Sequence, residues 1–107
     1  MNVVRCKFIS YIQLSMKFTW SETKRAANIK AHGLDFVDGH RVFVGPTFTF
    51  EDDRFSYGEQ RFVTLGLLVG TLVSVVHTEN AHEIRLISFR KATKRESQSK
   101  GLHAIHK

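Results

Sequence analysis

The chain has 107 residues, 42% of them hydrophobic and 24% charged, with sixteen Lys and Arg against ten Asp and Glu for a formal net charge of +6. That length supports one hydrophobic core, and nine Phe with abundant Leu, Val and Ile exclude a disordered chain. The single Cys6 excludes an internal disulfide, no Cys and His cluster has zinc-site spacing, and the positive field favours polyanions such as nucleic acid.

The stretch from Val3 to Leu14 is interrupted by Arg5, Lys7, Ser10 and Gln13, so it is neither a signal-peptide core nor a membrane span. A cytoplasmic setting is expected, with no membrane partner. Residues 1–15 read as an N-terminal extension, either a translated upstream stretch or an extra strand or helix at the edge of the domain. The domain itself is expected over residues 16–101 and a frayed tail over 102–107.

Phe18 and Trp20 alternate with Lys17 and Thr19 as in a short strand, and Ser21 then offers an oxygen to cap a helix. The helix is expected from Glu22 to Ala31, with Glu22 in its first turn and Lys30 and His32 near its end, as the helix dipole prefers. Gly33 closes it in the left-handed conformation. A second helix is expected from Phe36 to Phe43, capped by Asp35 with Asp38 completing a weak capping box. Gly45-Pro46 ends it, and Phe36, Gly39 or His40, and Phe43 turn one face toward a sheet.

Thr47 to Phe50 begins the strands, and the polar run from Glu51 to Glu59 is a loop. Gln60 to Val69, Thr71 to Glu79 and Glu83 to Lys91 follow, separated only by Gly70 and by Asn80-Ala81-His82, and predict an antiparallel meander. Leu72 to Val76 is nearly all apolar, as a covered central strand requires. In the last strand strict alternation places Ile84, Leu86 and Ser88 on one face and Arg85, Ile87 and Phe89 on the other. Thr93-Lys94-Arg95-Glu96 is a capping box opening a short C-terminal helix. The fold class is α+β, a meander packed by two N-terminal helices and a short C-terminal one.

Several short motifs recur together. They are Phe18-x-Trp20, Lys30-Ala31-His32-Gly33, Gly58-Glu59-x-Arg61-Phe62, Val76-His77-Thr78-Glu79, and Ile84-Arg85-x-Ile87-Ser88-x-Arg90-Lys91-Ala92-Thr93. In this order and spacing, over about residues 16–100, they resemble the BrnT family of toxins. The resemblance implies a RelE-like fold, an endoribonuclease that halts translation, and a BrnA-type antitoxin partner with a ribbon-helix-helix DNA-binding part, so that DNA is met only through that antitoxin. Two features depart from the family pattern: the residues before Met16 have no counterpart, and Gly39 stands where a better helix former is usual.

Cleaving RNA without a metal or other cofactor needs a base for the 2′ hydroxyl, an acid for the leaving oxygen and cations for the phosphate charge. His77 is the first choice for proton transfer, because imidazole titrates near neutrality and an apolar strand there gives way to Thr78 and Glu79. The competing reading is a hydrogen-bonded structural histidine. Arg85, Arg90 and Lys91 are the phosphate candidates, beside a helix start that carries Lys94 and Arg95. A solvated edge that keeps the sheet from aggregating is their bland alternative.

His32 and Lys30 are further candidates for catalysis and RNA contact, unless they only cap the first helix. Glu59 and Arg61 either orient substrate or form a surface ion pair. Trp20 stacks on a base or lies in the core. Asp52 and Asp53 lack an evident third ligand for a magnesium ion, and His103 and His106 receive no role. Two functions compete: a ribonuclease toxin, and a non-catalytic basic module that docks an antitoxin or RNA. The catalytic reading requires that the proton-transfer and cationic residues converge on one concavity.

Overall fold

The computed structural model describes residues 4–7, 16–52 and 58–98. The expected tail at 102–107 and Asp53 lie outside the described residues. The chain folds as an α+β protein around one six-stranded sheet.

β1 (Val4–Lys7) lies at one edge of that sheet and pairs antiparallel with β3 (Thr47–Glu51), so part of the N-terminal stretch adds a strand. β2 (Lys17–Thr19) lies at the other edge. α1 (Glu22–His32) begins at Ser21, whose hydroxyl accepts from the Lys24 N–H at 3.3 Å, and ends at Gly33 with φ +73°. A cap of this kind contributes about 1 kcal/mol, and glycine adopts that φ without a side-chain penalty.

The second helical segment is not one continuous helix. A 3-10 turn (Phe36–Asp38) leads into α2 (Gly39–Val44). Asp35 does cap it, accepting from the Val37 N–H at 3.1 Å, but the same carboxylate also receives the Arg25 guanidinium at 2.7 and 2.9 Å. Asp38 turns to Arg41, at 3.5 Å, and forms no cap. Gly39 has a packing reason: a Cβ there would stand 2.7 Å from Leu86 Cδ1, so its lack of a side chain lets α2 settle on the sheet.

β4 (Phe62–Leu68), β5 (Thr71–Glu79) and β6 (Glu83–Lys91) form the expected antiparallel meander. β4 starts and stops short of the expected Gln60 to Val69, because Val69-Gly70 makes the reversal, with Val69 itself at φ +49°. The sheet order is β1-β3-β4-β5-β6-β2, and β2 runs parallel to β6, so the sheet is mixed. α3 (Lys94–Gln98) closes the described chain. It opens on the capping box read from the sequence, with Thr93 N–H donating to Glu96 at 2.8 Å and Glu96 N–H to Thr93 Oγ1 at 3.1 Å.

One core lies between the helices and the sheet, where Phe36, Val42 and Phe43 meet Val73, Val75, Ile84, Leu86 and Phe89. A second lies on the far face, where Phe50, Val63, Leu65 and Leu72 pack with Val76 and Ala92. Burial on both faces explains the nearly unbroken apolar run of β5. In β6 the simple alternation fails. Val76 pairs with Ser88 but His77 pairs with Leu86, so Ile87 is a bulge and parity shifts after it. Phe89 therefore joins Ile84 and Leu86 in the helix-side core instead of sharing a face with Arg85.

Candidate functional site

β2 pairs only with Glu83 to Arg85 of β6, which leaves the outer edge of β6 from Leu86 onward to other partners. α1 lies along that edge, and Asn28 attaches it. The Phe89 N–H donates to Asn28 Oδ1 at 3.0 Å, and Asn28 Nδ2 donates to Phe89 O at 2.8 Å and to Leu34 O at 2.9 Å. Asn28 is the only buried residue of α1. No sequence motif contains it, although an Asn in mid-helix, where it is a poor helix former, is a signal that the side chain has another task.

Between α1 and the bulge of β6 lies a cavity of about 240 Å³, lined by Lys24, Ala27, Asn28, Ala31, His32, Ile87 and Ser88. His32 stands in the last turn of α1 and is exposed. Ser88 reaches the groove because the bulge turns the strand there. The groove thus joins an imidazole, an ammonium and a hydroxyl over a small apolar floor.

The arginines of β6 flank Ser88 on one side of the sheet. Thr78 pairs with Arg85, Val76 with Ser88 and Ser74 with Arg90, so all three β6 residues share the face opposite the helix-side core. Arg85 is exposed, as is Lys91 at the strand end. Arg90 is held by Glu96 through two bonds, at 3.0 and 3.1 Å, and also donates to Lys91 O at 3.1 Å. Burial pushes the Glu96 carboxyl upward, but its bonds from Arg90 and from Thr93 prevail and hold it below its ordinary range. Lys94 and Arg95 are exposed on the first turn of α3. Arg61 immediately precedes β4, whose first residue Phe62 pairs with His77. Its Nε donates to Glu59 at 3.2 Å.

His77 lies on the other face. Its side chain is fully buried, with Nε2 2.7 Å from Thr64 Oγ1, and Thr64 Oγ1 is in turn 2.8 Å from Thr49 Oγ1. Nδ1 sits 3.3 Å from Glu79 Oε2, Phe43 meets the ring edge-on at 5.2 Å, and Phe62 stacks on it at 6.0 Å. Thr49, Thr64 and His77 thus form a buried polar chain within the core, and the fold does not bring His77 together with Arg85 and Arg90. The histidine that shares a concavity with Ser88 is His32.

Trp20 is half-buried against the helix-side core, 6.4 Å edge-on to Phe36, and its Nε1 donates to Glu22 at 2.9 Å. Lys30 is exposed in the last turn of α1. Among the described residues no three His, Cys, Asp or Glu side chains are grouped to hold a metal ion, and no helix is long and apolar enough to cross a membrane.

The family model described as "Ribonuclease toxin, BrnT, of type II toxin-antitoxin system" matches residues 20–96, which contain both walls of the groove and the whole arginine-bearing strand. No curated protein matches the chain significantly.

Proposed function

The chain belongs to the BrnT family of ribonuclease toxins of type II toxin-antitoxin systems, and from that premise we propose that it cleaves RNA in the groove between α1 and β6. The observation that carries this reading is the shared lining of His32 and Ser88, with Arg85 and Arg90 beside Ser88 on one sheet face. His32 takes the proton of a 2′ hydroxyl. Arg85 meets the phosphate from the face it shares with Ser88, since a guanidinium cation stabilises the charge that builds on phosphate oxygens. Arg90, already oriented by Glu96, presents its remaining donors from the same strand. His77 serves the core.

Lys24, the ammonium lining the same groove, gives a proton to the leaving 5′ oxygen, which completes an acid-base cleavage without a metal, and loss of RNA would inhibit translation. As a type II toxin the protein has an antitoxin partner; we propose one of BrnA type, with a ribbon-helix-helix part, that covers Arg85 and Lys91. The test is cleavage of end-labelled RNA by purified protein in the presence of a chelator. Cleavage by wild type that His32→Ala abolishes supports the reading, whereas intact RNA with wild type would end it in favour of a non-catalytic binding module.

A further inference from the structure

We infer that Asn28 is a positioning residue of the groove: by holding both backbone polar groups of Phe89 it fixes His32 on α1 against Ser88 and Arg90 on β6. The inference rests on reading the groove as the cleavage site.

A carboxamide offers one acceptor and two donor hydrogens. Asn28 uses both kinds on a single residue of β6, accepting from the Phe89 N–H and donating to the Phe89 carbonyl, and spends the rest on Leu34 O. Such a two-point attachment is directional. It fixes the height of the helix along the strand, where an apolar contact would allow sliding.

The attachment also sits at the point that matters. Phe89 lies between Ser88 and Arg90, and Asn28 lies one turn before His32 on the same helix side. No other residue of α1 is buried, and Ala27 and Ala31, which floor the groove, are too small to interlock with the strand. β2 pairs only as far as Arg85, so the strand ladder does not set the spacing at Ser88. An Asn in mid-helix is a poorer helix former than Ala, and the bonds to Phe89 are what it supplies in return.

The experiment compares Asn28→Ala and Asn28→Asp with Val42→Ala, a core change under α2 away from the groove, in steady-state RNA cleavage at a temperature where circular dichroism shows each folded. Because a displacement of about 1 Å in a reacting group can cost about a hundredfold, Asn28→Ala is expected to lower kcat by about tenfold or more with KM little changed. Asn28→Asp keeps the acceptor for the Phe89 N–H and falls between. Val42→Ala, which lowers Tm, is expected to leave kcat within about twofold, since a folded fraction near one hides a loss of stability.

Asn28 variants that lose no more kcat than Val42→Ala would overturn the inference while leaving the groove reading in place. Should Asn28→Ala not fold, Asn28→Asp carries the comparison, and a wild-type kcat in it would overturn the inference equally. If neither folds, Asn28 is a requirement of the fold and the positioning role falls. A wild type that cuts no RNA removes the groove reading and this inference with it.

Discussion

Glu96 holds Arg90 in a fork, each carboxylate oxygen taking one guanidinium nitrogen at 3.0 and 3.1 Å. Because the same carboxylate caps α3 through Thr93, one side chain ties the end of β6 to the following helix.

That fork predicts a pH dependence. The folded-state pKa of Glu96 is depressed below its ordinary 4.5, since the bonds from Arg90 and Thr93 outweigh its burial. The folded state therefore binds fewer protons than the unfolded chain, so the stabilisation is present above pH 4.5 and is lost as the pH falls through the depressed value. Thermal melts between pH 6 and pH 3 are expected to show Tm falling with acid, as is usual near about pH 4 for paired carboxylates. Glu96→Gln should flatten part of that fall and cost about 1 kcal/mol at neutral pH through the weakened fork to Arg90.

The two histidines should separate cleanly. His77→Ala removes a fully buried ring and leaves a cavity in the core, so it is expected to cost about 3 kcal/mol in urea unfolding. Cleavage by the folded fraction should persist. His32→Ala, at an exposed helix end, should change stability by less than about 1 kcal/mol while abolishing cleavage. The reverse pattern would return His77 to the site.

Gly39→Ala tests the close approach of α2 to the sheet. A methyl 2.7 Å from Leu86 Cδ1 must displace a fully buried side chain. Overpacking costs about 1–3 kcal/mol against a gain of about 1 kcal/mol in helix propensity. A net loss is expected in chemical denaturation, and a stabilised variant would show that Leu86 moves aside freely.

The reversal at Val69 should be improvable. A β-branched residue at φ +49° in an exposed turn is strained, and Val69→Asn should relieve it, raising stability by about 1 kcal/mol. Differential scanning calorimetry would read this as a higher Tm.

Arg85 should behave as a phosphate contact. Arg85→Ala is expected to weaken RNA binding across sequences and to reduce the slope of log K against log salt by about one. An unchanged slope would assign Arg85 to the solvated edge.

The elements that were legible in the sequence are those whose signals are local. Ser21 and Gly33 bracket α1, the Thr93 and Glu96 box opens α3, and β5 and β6 end where their turns begin. The short motifs also sufficed to point to the family that residues 20–96 match. What escaped depended on distant partners. The Asp35 cap was readable, but not that Arg25 would share it, and the break between the 3-10 turn and α2 follows from packing Gly39 on Leu86. The bulge at Ile87 inverted the parity of Phe89, and no property of β6 alone announces it. His77 and His32 could not be ranked from sequence because burial separates them, and burial depends on which face of β5 the helices cover.

The two walls of the groove come from opposite ends of the chain, with Asn28 and Phe89 61 residues apart. A nascent chain that has yet to expose β6 to solvent therefore carries only one wall of the groove. If the groove is the cleavage site, activity is expected only once synthesis of the domain is nearly complete, and a nonsense change anywhere before Glu83 is expected to give an inactive product.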